Sequence, residues 1–192
     1  MSTTITTTVF TFDELADSAK EKAREWYRQG ALDYDWWDTT FDMAKTAGAL
    51  LGITVDDINF TGFWSQGDGA CFTGSYRYSK GWRKALEAGG GGDSLARLIE
   101  IGEALRAAQA PVFYKGTATV SRPRGNYCHE HSPDIDVDVA DEEAITDALR
   151  DFMRWIYRSL EAEHDWLLAD ECVDESILAN KYTFTADGKR FG

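Results

Sequence analysis

The sequence contains few of the residues that mark several common protein classes. It has only three prolines, three histidines and three cysteines in 192 residues. Cys71, Cys128 and Cys172 are odd in number and far apart, which predicts reduced thiols rather than a disulfide framework. No run approaches the roughly 20 apolar residues of a membrane-spanning helix, and the start lacks the features of a secretory signal. We therefore expect a cytoplasmic protein.

Motifs for phosphate binding and nucleophilic catalysis are also missing. The four glycines at 89–92 have no following Lys-Ser/Thr and no preceding strand, so they predict a surface loop rather than a phosphate cradle. Ser65 does not lie in a Gly-x-Ser-x-Gly turn. We predict no catalytic residue, no cofactor and no enzyme activity.

Positive charge is scarce, since 33 acidic residues accompany 20 basic ones and the net charge is −13. Between residues 134 and 175 there are fifteen acids and three arginines, a local net charge of −12. Such a field repels nucleic acid and acidic membranes and attracts basic surfaces. The alternative is a solvated face that only keeps the protein soluble. The predicted partner-binding residues at the start of this segment are Asp134, Asp136, Asp138, Asp141, Glu142 and Glu143.

Aromatic residues are abundant, with seven Trp, eight Tyr and ten Phe, which is not typical of a disordered chain. Alternating apolar residues over 60–78 predict two strands joined by a tight turn at 65–69. We assign the side chains of Trp64, Phe72 and Tyr76 to the core.

The turn itself is polar and predicted to be exposed. Gln66 and Asp68 are candidate partner contacts, and the Asp68 carboxylate can also accept hydrogen bonds from the local backbone.

The remaining patterns predict an α+β fold. Alternation over 112–120 and 134–139 predicts a second hairpin. Apolar residues at three-to-four spacing predict helices over 12–29, 34–51, 82–87, 94–109, 141–170 and 173–180. Thr11 and Glu14 have the spacing of a capping box that would start the first helix.

The two hairpins are expected to form an antiparallel sheet covered by helices mainly on one face, in one domain over 1–192. The residues before Thr11 read as a strand or extended arm. Similar Thr and Phe residues near the other end of the chain allow the two termini to pair.

The most chemically suggestive cluster lies between the strands of the second hairpin. Cys128, His129 and His131 are residue types that bind zinc, and His-x-His on an extended segment directs both rings to one side. A further ligand, from Cys71 or Cys172, would be needed. Without a second ligand pair at metal spacing, a polar loop is the favoured interpretation, and a metal-dependent enzyme is the alternative.

Three stretches resemble a family of small proteins encoded in phages and prophages, sometimes labelled antitoxin-like. They lie at residues 11–28, 33–53 and 63–72, and FWSQGDGA, followed closely by an aromatic residue, is the most specific part. The resemblance implies a phage setting and supplies no catalytic residues.

In that setting, a small acidic protein is similar to counter-defence proteins, including anti-CRISPR proteins. The expected function is non-enzymatic inhibition of a host nucleic-acid-processing complex, by occlusion or as a DNA mimic. The partner would be a host protein or ribonucleoprotein with a basic surface, with no direct contact to nucleic acid or membrane. An antitoxin that neutralises a partner toxin is a further alternative.

Overall fold

The fold is described from a computed structural model that covers residues 6–89, 92–121, 127–138 and 140–192. The helices in these ranges are α1 (Asp17–Arg28), α2 (Asp38–Leu51), α3 (Trp82–Gly89), α4 (Gly92–Gln109), α5 (Glu142–Leu167) and α6 (Asp170–Ala179). The strands are β1 (Phe10–Thr11), β2 (Ile53–Phe60), β3 (Ala70–Arg77), β4 (Thr117–Val120), β5 (Ile135–Asp138), β6 (Thr183–Phe184) and β7 (Arg190–Phe191). None of these helices has the length and apolar character needed to cross a membrane.

Four strands form an antiparallel sheet in the order β2-β3-β4-β5. The two predicted hairpins are therefore present, and they join through pairing of β3 with β4. Side chains alternate across the sheet: Tyr76 and Ala118 are buried, whereas Ser75 and Thr119 are exposed. The predicted α+β class, with an antiparallel sheet, is confirmed.

The strand boundaries differ from the prediction in both hairpins. β2 ends at Phe60, so the connection to β3 is the nine residues 61–69 rather than a five-residue turn. β4 begins only at Thr117. Before it, the end of α4 tightens into a 3₁₀ turn, and the buried Gln109 side chain exchanges two hydrogen bonds with the Gly116 backbone, at 2.8 and 2.9 Å.

Helix α5 forms the centre of the core and closely matches the predicted helix. Its buried positions recur at helical spacing, at Ile145, Leu149, Phe152, Met153, Ile156 and Leu160. The ring of Phe152 packs edge-on against Phe72 of β3, with centroids 5.8 Å apart. The predicted burial of Phe72 and Tyr76 is confirmed, at 0% and 1% exposure.

The chain divides into two compact units. The terminal unit contains the described residues up to Trp36 together with Ala162–Gly192, and the central unit is Trp37–Glu161. The prediction of one domain over 1–192 stays a prediction.

In the terminal unit, the two ends of the chain pair as predicted. β1 aligns antiparallel with β6, with Phe10 opposite Phe184, and β7 completes a second sheet. The Glu14 carboxylate accepts a hydrogen bond from the Thr11 amide at 2.8 Å, as a capping box requires. It caps a short 3₁₀ turn, however, because Leu15 is extended and α1 begins only at Asp17.

A bidentate ion pair joins α1 to α6 in the same unit. The Arg24 guanidinium contacts both carboxylate oxygens of Asp174, at 2.7 and 2.6 Å. Hydrogen bonding to Asp174 raises the pKa of Arg24, so the charge persists at any ordinary pH.

Some predictions lie partly outside the described residues. They concern residues 3–5 of the extended arm, Gly90 and Gly91 of the glycine loop, the turn 122–126, and Val139 of the last predicted sheet strand. The described part of α4 begins at Gly92, the last of the four glycines.

We expect Gly52 to tolerate alanine much less well than Gly81, although both have left-handed backbone, with φ of 86° and 82°. A Cβ on Gly52 would lie 2.0 Å from the Arg77 carbonyl oxygen, whereas one on Gly81 meets nothing within 4 Å. Gly81→Ala should cost about 1–2 kcal/mol from its backbone conformation. Gly52→Ala should cost at least about 2 kcal/mol more, because the backbone must move. Urea unfolding followed by circular dichroism measures both, and equal midpoints would contradict this prediction.

Candidate functional site at one end of the central sheet

Two connections lie together at one end of the four-stranded sheet. Residues 61–69 join β2 to β3, and the described residues 127–132 belong to the connection between β4 and β5. A Cβ placed on Gly69 would lie 3.0 Å from the Cα of His129, so the two backbones are in contact. The structure therefore brings the FWSQGDGA stretch beside the Cys and His cluster. We call residues 61–69 and 127–132 the sheet-end site.

The Asp68 carboxylate organises the first connection. Its Oδ2 accepts hydrogen bonds from the backbone amides of Trp64 and Ser65, at 3.0 and 2.7 Å. The predicted local bonding of Asp68 is confirmed, and its carboxylate is half-buried, whereas Gln66 is exposed. The core assignment of Trp64 was wrong: its side chain is 78% exposed, because β2 has already ended at Phe60.

Helix α5 supports both connections from one side. The Tyr157 hydroxyl donates a hydrogen bond to the Gly62 carbonyl oxygen at 3.1 Å. The Arg154 guanidinium lies 3.3 Å from Oε1 of Glu130. Residues three apart in a helix are neighbours on its surface, so one patch of α5 contacts both connections. No pattern in the sequence predicts these contacts, because they depend on how distant segments meet.

Residues 129–132 form a tight turn, whereas the metal alternative assumed an extended segment. The Ser132 amide donates to the His129 carbonyl oxygen at 2.8 Å, and the Ser132 hydroxyl oxygen accepts from the His129 amide at 3.1 Å. The turn nevertheless brings the two imidazoles together, with the His129 and His131 rings stacked 5.4 Å apart. The Glu130 carboxylate lies beside both: Oε2 is 3.2 Å from Nε2 of His129, and Oε1 is 3.9 Å from Nε2 of His131.

Cys71 is covered by this second connection. It lies in β3 at 0% exposure, and its thiol faces the Cys128 side chain and the His129 backbone. Burial raises the pKa of the Cys71 thiol to about 12. Cys128 is half-buried, and Cys172 is half-buried in α6; all three are free thiols.

The six predicted acidic contacts, which we call the acidic strip, follow the sheet-end site along the chain. Asp134, Asp136, Asp138, Asp141, Glu142 and Glu143 are all exposed. Asp136 and Asp138 alternate with half-buried residues of β5, which is an edge strand, and Asp141 caps α5 by accepting from the Ala144 amide at 3.2 Å.

The wider acidic segment, 134–175, is not one continuous face of unpaired charge. Its later part lies in the terminal unit, where Asp170 and Asp174 pair with Arg24. In the central unit, Asp151 pairs with Arg97 at 2.8 Å and also with Arg154. Among the described residues, no ion pair involves Asp136 or Asp138, so these two carboxylates keep an uncompensated charge.

We expect Cys71 to be the slowest thiol to react in the native protein. A thiol with a pKa of about 12 is almost entirely protonated at pH 8, and only the thiolate attacks a disulfide reagent. Ellman's reagent at pH 8 measures the number of thiols per chain that react quickly in the native protein. Cys71→Ala should leave that number unchanged, whereas Cys128→Ala should reduce it. In denaturant the Cys71 thiol should react as well. Equal reaction rates of all three thiols in the native protein would contradict the burial of Cys71.

Similarity of this chain to known proteins is found at the level of a family. No curated protein and no solved structure is significantly similar to the chain. Residues 36–170, more than two thirds of the sequence, match a family described as "Domain of unknown function (DUF8835)". This range contains both the sheet-end site and the acidic strip. The chain therefore belongs to the DUF8835 family.

Proposed function

We propose that this protein is a non-enzymatic inhibitor that binds a basic surface on a host nucleic-acid-processing complex through the acidic strip. The partner is a host protein or ribonucleoprotein, and the setting is phage counter-defence in the host cytoplasm, as for anti-CRISPR proteins. The observation that carries the proposal is the charge of residues 134–143, which hold six acids and no lysine or arginine.

The exposure of the strip supports this proposal. Asp136 and Asp138 lie opposite Thr119 and Thr117 of β4. Asp136, Asp138 and Thr119 are exposed, and Thr117 is half-buried, so this face offers carboxylates among neutral polar groups. Residues two apart on a strand lie roughly 7 Å apart on the same face, so the two carboxylates form a pair of neighbouring negative charges. A basic channel that holds DNA or RNA presents lysines and arginines to such charges. The protein then competes with the nucleic acid for the channel, as a DNA mimic.

The same charge argues against direct binding of nucleic acid or of an anionic membrane. Phosphates and acidic head groups would be repelled by the strip and by the net charge of −13. An antitoxin that blocks the basic surface of a partner toxin would use the same interaction. Co-expression with the toxin of a neighbouring gene distinguishes that alternative from counter-defence, because only an antitoxin restores growth.

We expect charge reversal on β5 to abolish inhibition. Asp136→Lys with Asp138→Lys changes the charge by +4 without affecting any described ion pair. The matched control is Asp56→Lys with Asp57→Lys, two exposed acids on β2, the opposite edge of the same sheet. In a host with active CRISPR immunity, the wild-type protein and the β2 control should restore phage plaques. The β5 variant should lose at least about 10-fold in plaque number, because the contact is electrostatic.

Salt dependence provides the physical check on any complex recovered from that host. The dissociation constant should rise by about an order of magnitude between ~0.1 and ~0.5 M salt, since exposed charge pairs are screened. An equal loss of plaque number in the β5 variant and the β2 control would indicate a general effect of net charge. Full activity of the β5 variant would remove the acidic strip from the mechanism.

A further inference from the structure

We infer that His129, Glu130 and His131 form a binding site for a divalent transition metal of the zinc class. One ligand atom from each residue lies within 4.8 Å of the others. The inference is independent of the acidic strip, because it concerns the purified chain and needs no partner.

One pair of ligand atoms is already at the separation found around a bound ion. Zinc lies about 2.0–2.2 Å from imidazole nitrogen and carboxylate oxygen in a tetrahedral arrangement, so two ligand atoms are separated by roughly 3.3 Å. The pair formed by Glu130 Oε2 and His129 Nε2 is already at 3.2 Å. The second imidazole is 3.9 Å from the other carboxylate oxygen, Oε1, and the three ligand atoms lie within 4.8 Å of one another, so His131 must move closer by up to about 1.5 Å to reach that separation from both other ligands. The His131 side chain is 57% exposed, so it has room for that movement.

The ligand types favour zinc and its neighbours over calcium or magnesium. Imidazole suits Zn²⁺, Ni²⁺, Cu²⁺ and Fe²⁺, whereas the hard cations require mostly oxygen ligands. Two imidazoles and one carboxylate supply three protein ligands, which leaves a fourth position for water. Cys128, part of the predicted ligand set, is not in this cluster, because its side chain faces Cys71.

The surroundings hold the ligands in place. Arg154 contacts Oε1 of Glu130 at 3.3 Å, which orients the carboxylate and leaves Oε2 toward His129. The backbone bonds between His129 and Ser132 fix the turn. Contacts of this kind orient metal ligands in many proteins.

Metal binding requires one local change. The His131 amide now donates to Nδ1 of His129 at 3.3 Å. A neutral imidazole bound to metal through Nε2 carries its proton on Nδ1, so this contact must open. The bond is long, and its loss is small beside the gain of a metal–nitrogen bond.

The test uses the full chain, stripped with a chelator and titrated with ZnSO₄ by calorimetry and with CoCl₂ by visible absorption. We expect one ion per chain and a cobalt spectrum of low coordination number. Glu130→Gln and His131→Ala should each weaken binding at least about 100-fold, because each removes a ligand. Cys128→Ser should bind like the wild-type protein. Circular dichroism checks that each variant folds.

Two results would overturn the inference. The first is no saturable binding of either metal, which would make the cluster a carboxylate that lies beside two imidazoles without holding an ion. The second is binding that survives Glu130→Gln and His131→Ala but disappears in Cys128→Ser, which would move the ion to the cysteines.

Discussion

The contact of α5 with the inner face of the central sheet is the interaction on which the rest of the central unit depends. Phe152 packs edge-on against Phe72 of β3. Helix α2 also contacts the Phe152 ring, at Gly48. A Cβ on Gly48 would lie 3.3 Å from that ring, so α2 comes this close to Phe152 because the position has no side chain. One aromatic residue therefore sets the spacing of a helix, a strand and a second helix. Burial of a Phe side chain stabilises the fold by about 1.5–3 kcal/mol.

The same helix positions the sheet-end site. Phe152 is directed into the core, while Arg154 and Tyr157 contact Glu130 and the Gly62 carbonyl oxygen. The core contact and the site contacts lie within six residues of one rigid element. Any shift of α5 would therefore move both connections together, and the distances among the imidazoles and the carboxylate depend on core packing.

The sequence predicted those parts of the fold in which local pattern and burial agree. The apolar positions of α5 from Ile145 to Leu160 recur at helical spacing, and most of them are buried, so the helix was predicted almost to its ends. In the first hairpin, alternation continued past the end of the strand as far as Trp64. The pattern could not show that the Asp68 carboxylate accepts hydrogen bonds from two backbone amides, at Trp64 and Ser65, in a connection that has already left the sheet.

The candidate site was predictable in its residue types and not in its geometry. Cys128, His129 and His131 were recognisable as ligand types. The turn that stacks the rings is local, but its geometry was not visible in the pattern of residues. The approach of Arg154 and the cover over Cys71 are contacts between segments far apart in sequence. Such contacts follow from the pairing of β3 with β4, which brings the two connections to one end of the sheet.

The two outer strands of the central sheet both expose aspartates, at Asp56 and Asp57 on β2 and at Asp136 and Asp138 on β5. An open sheet edge is a template for another strand, and two copies of this chain that met along β5 would bring like charges together. Self-association along that edge is therefore disfavoured. A strand that carries lysine or arginine would meet no such repulsion, so the aspartates select among incoming strands by charge before any backbone hydrogen bond forms.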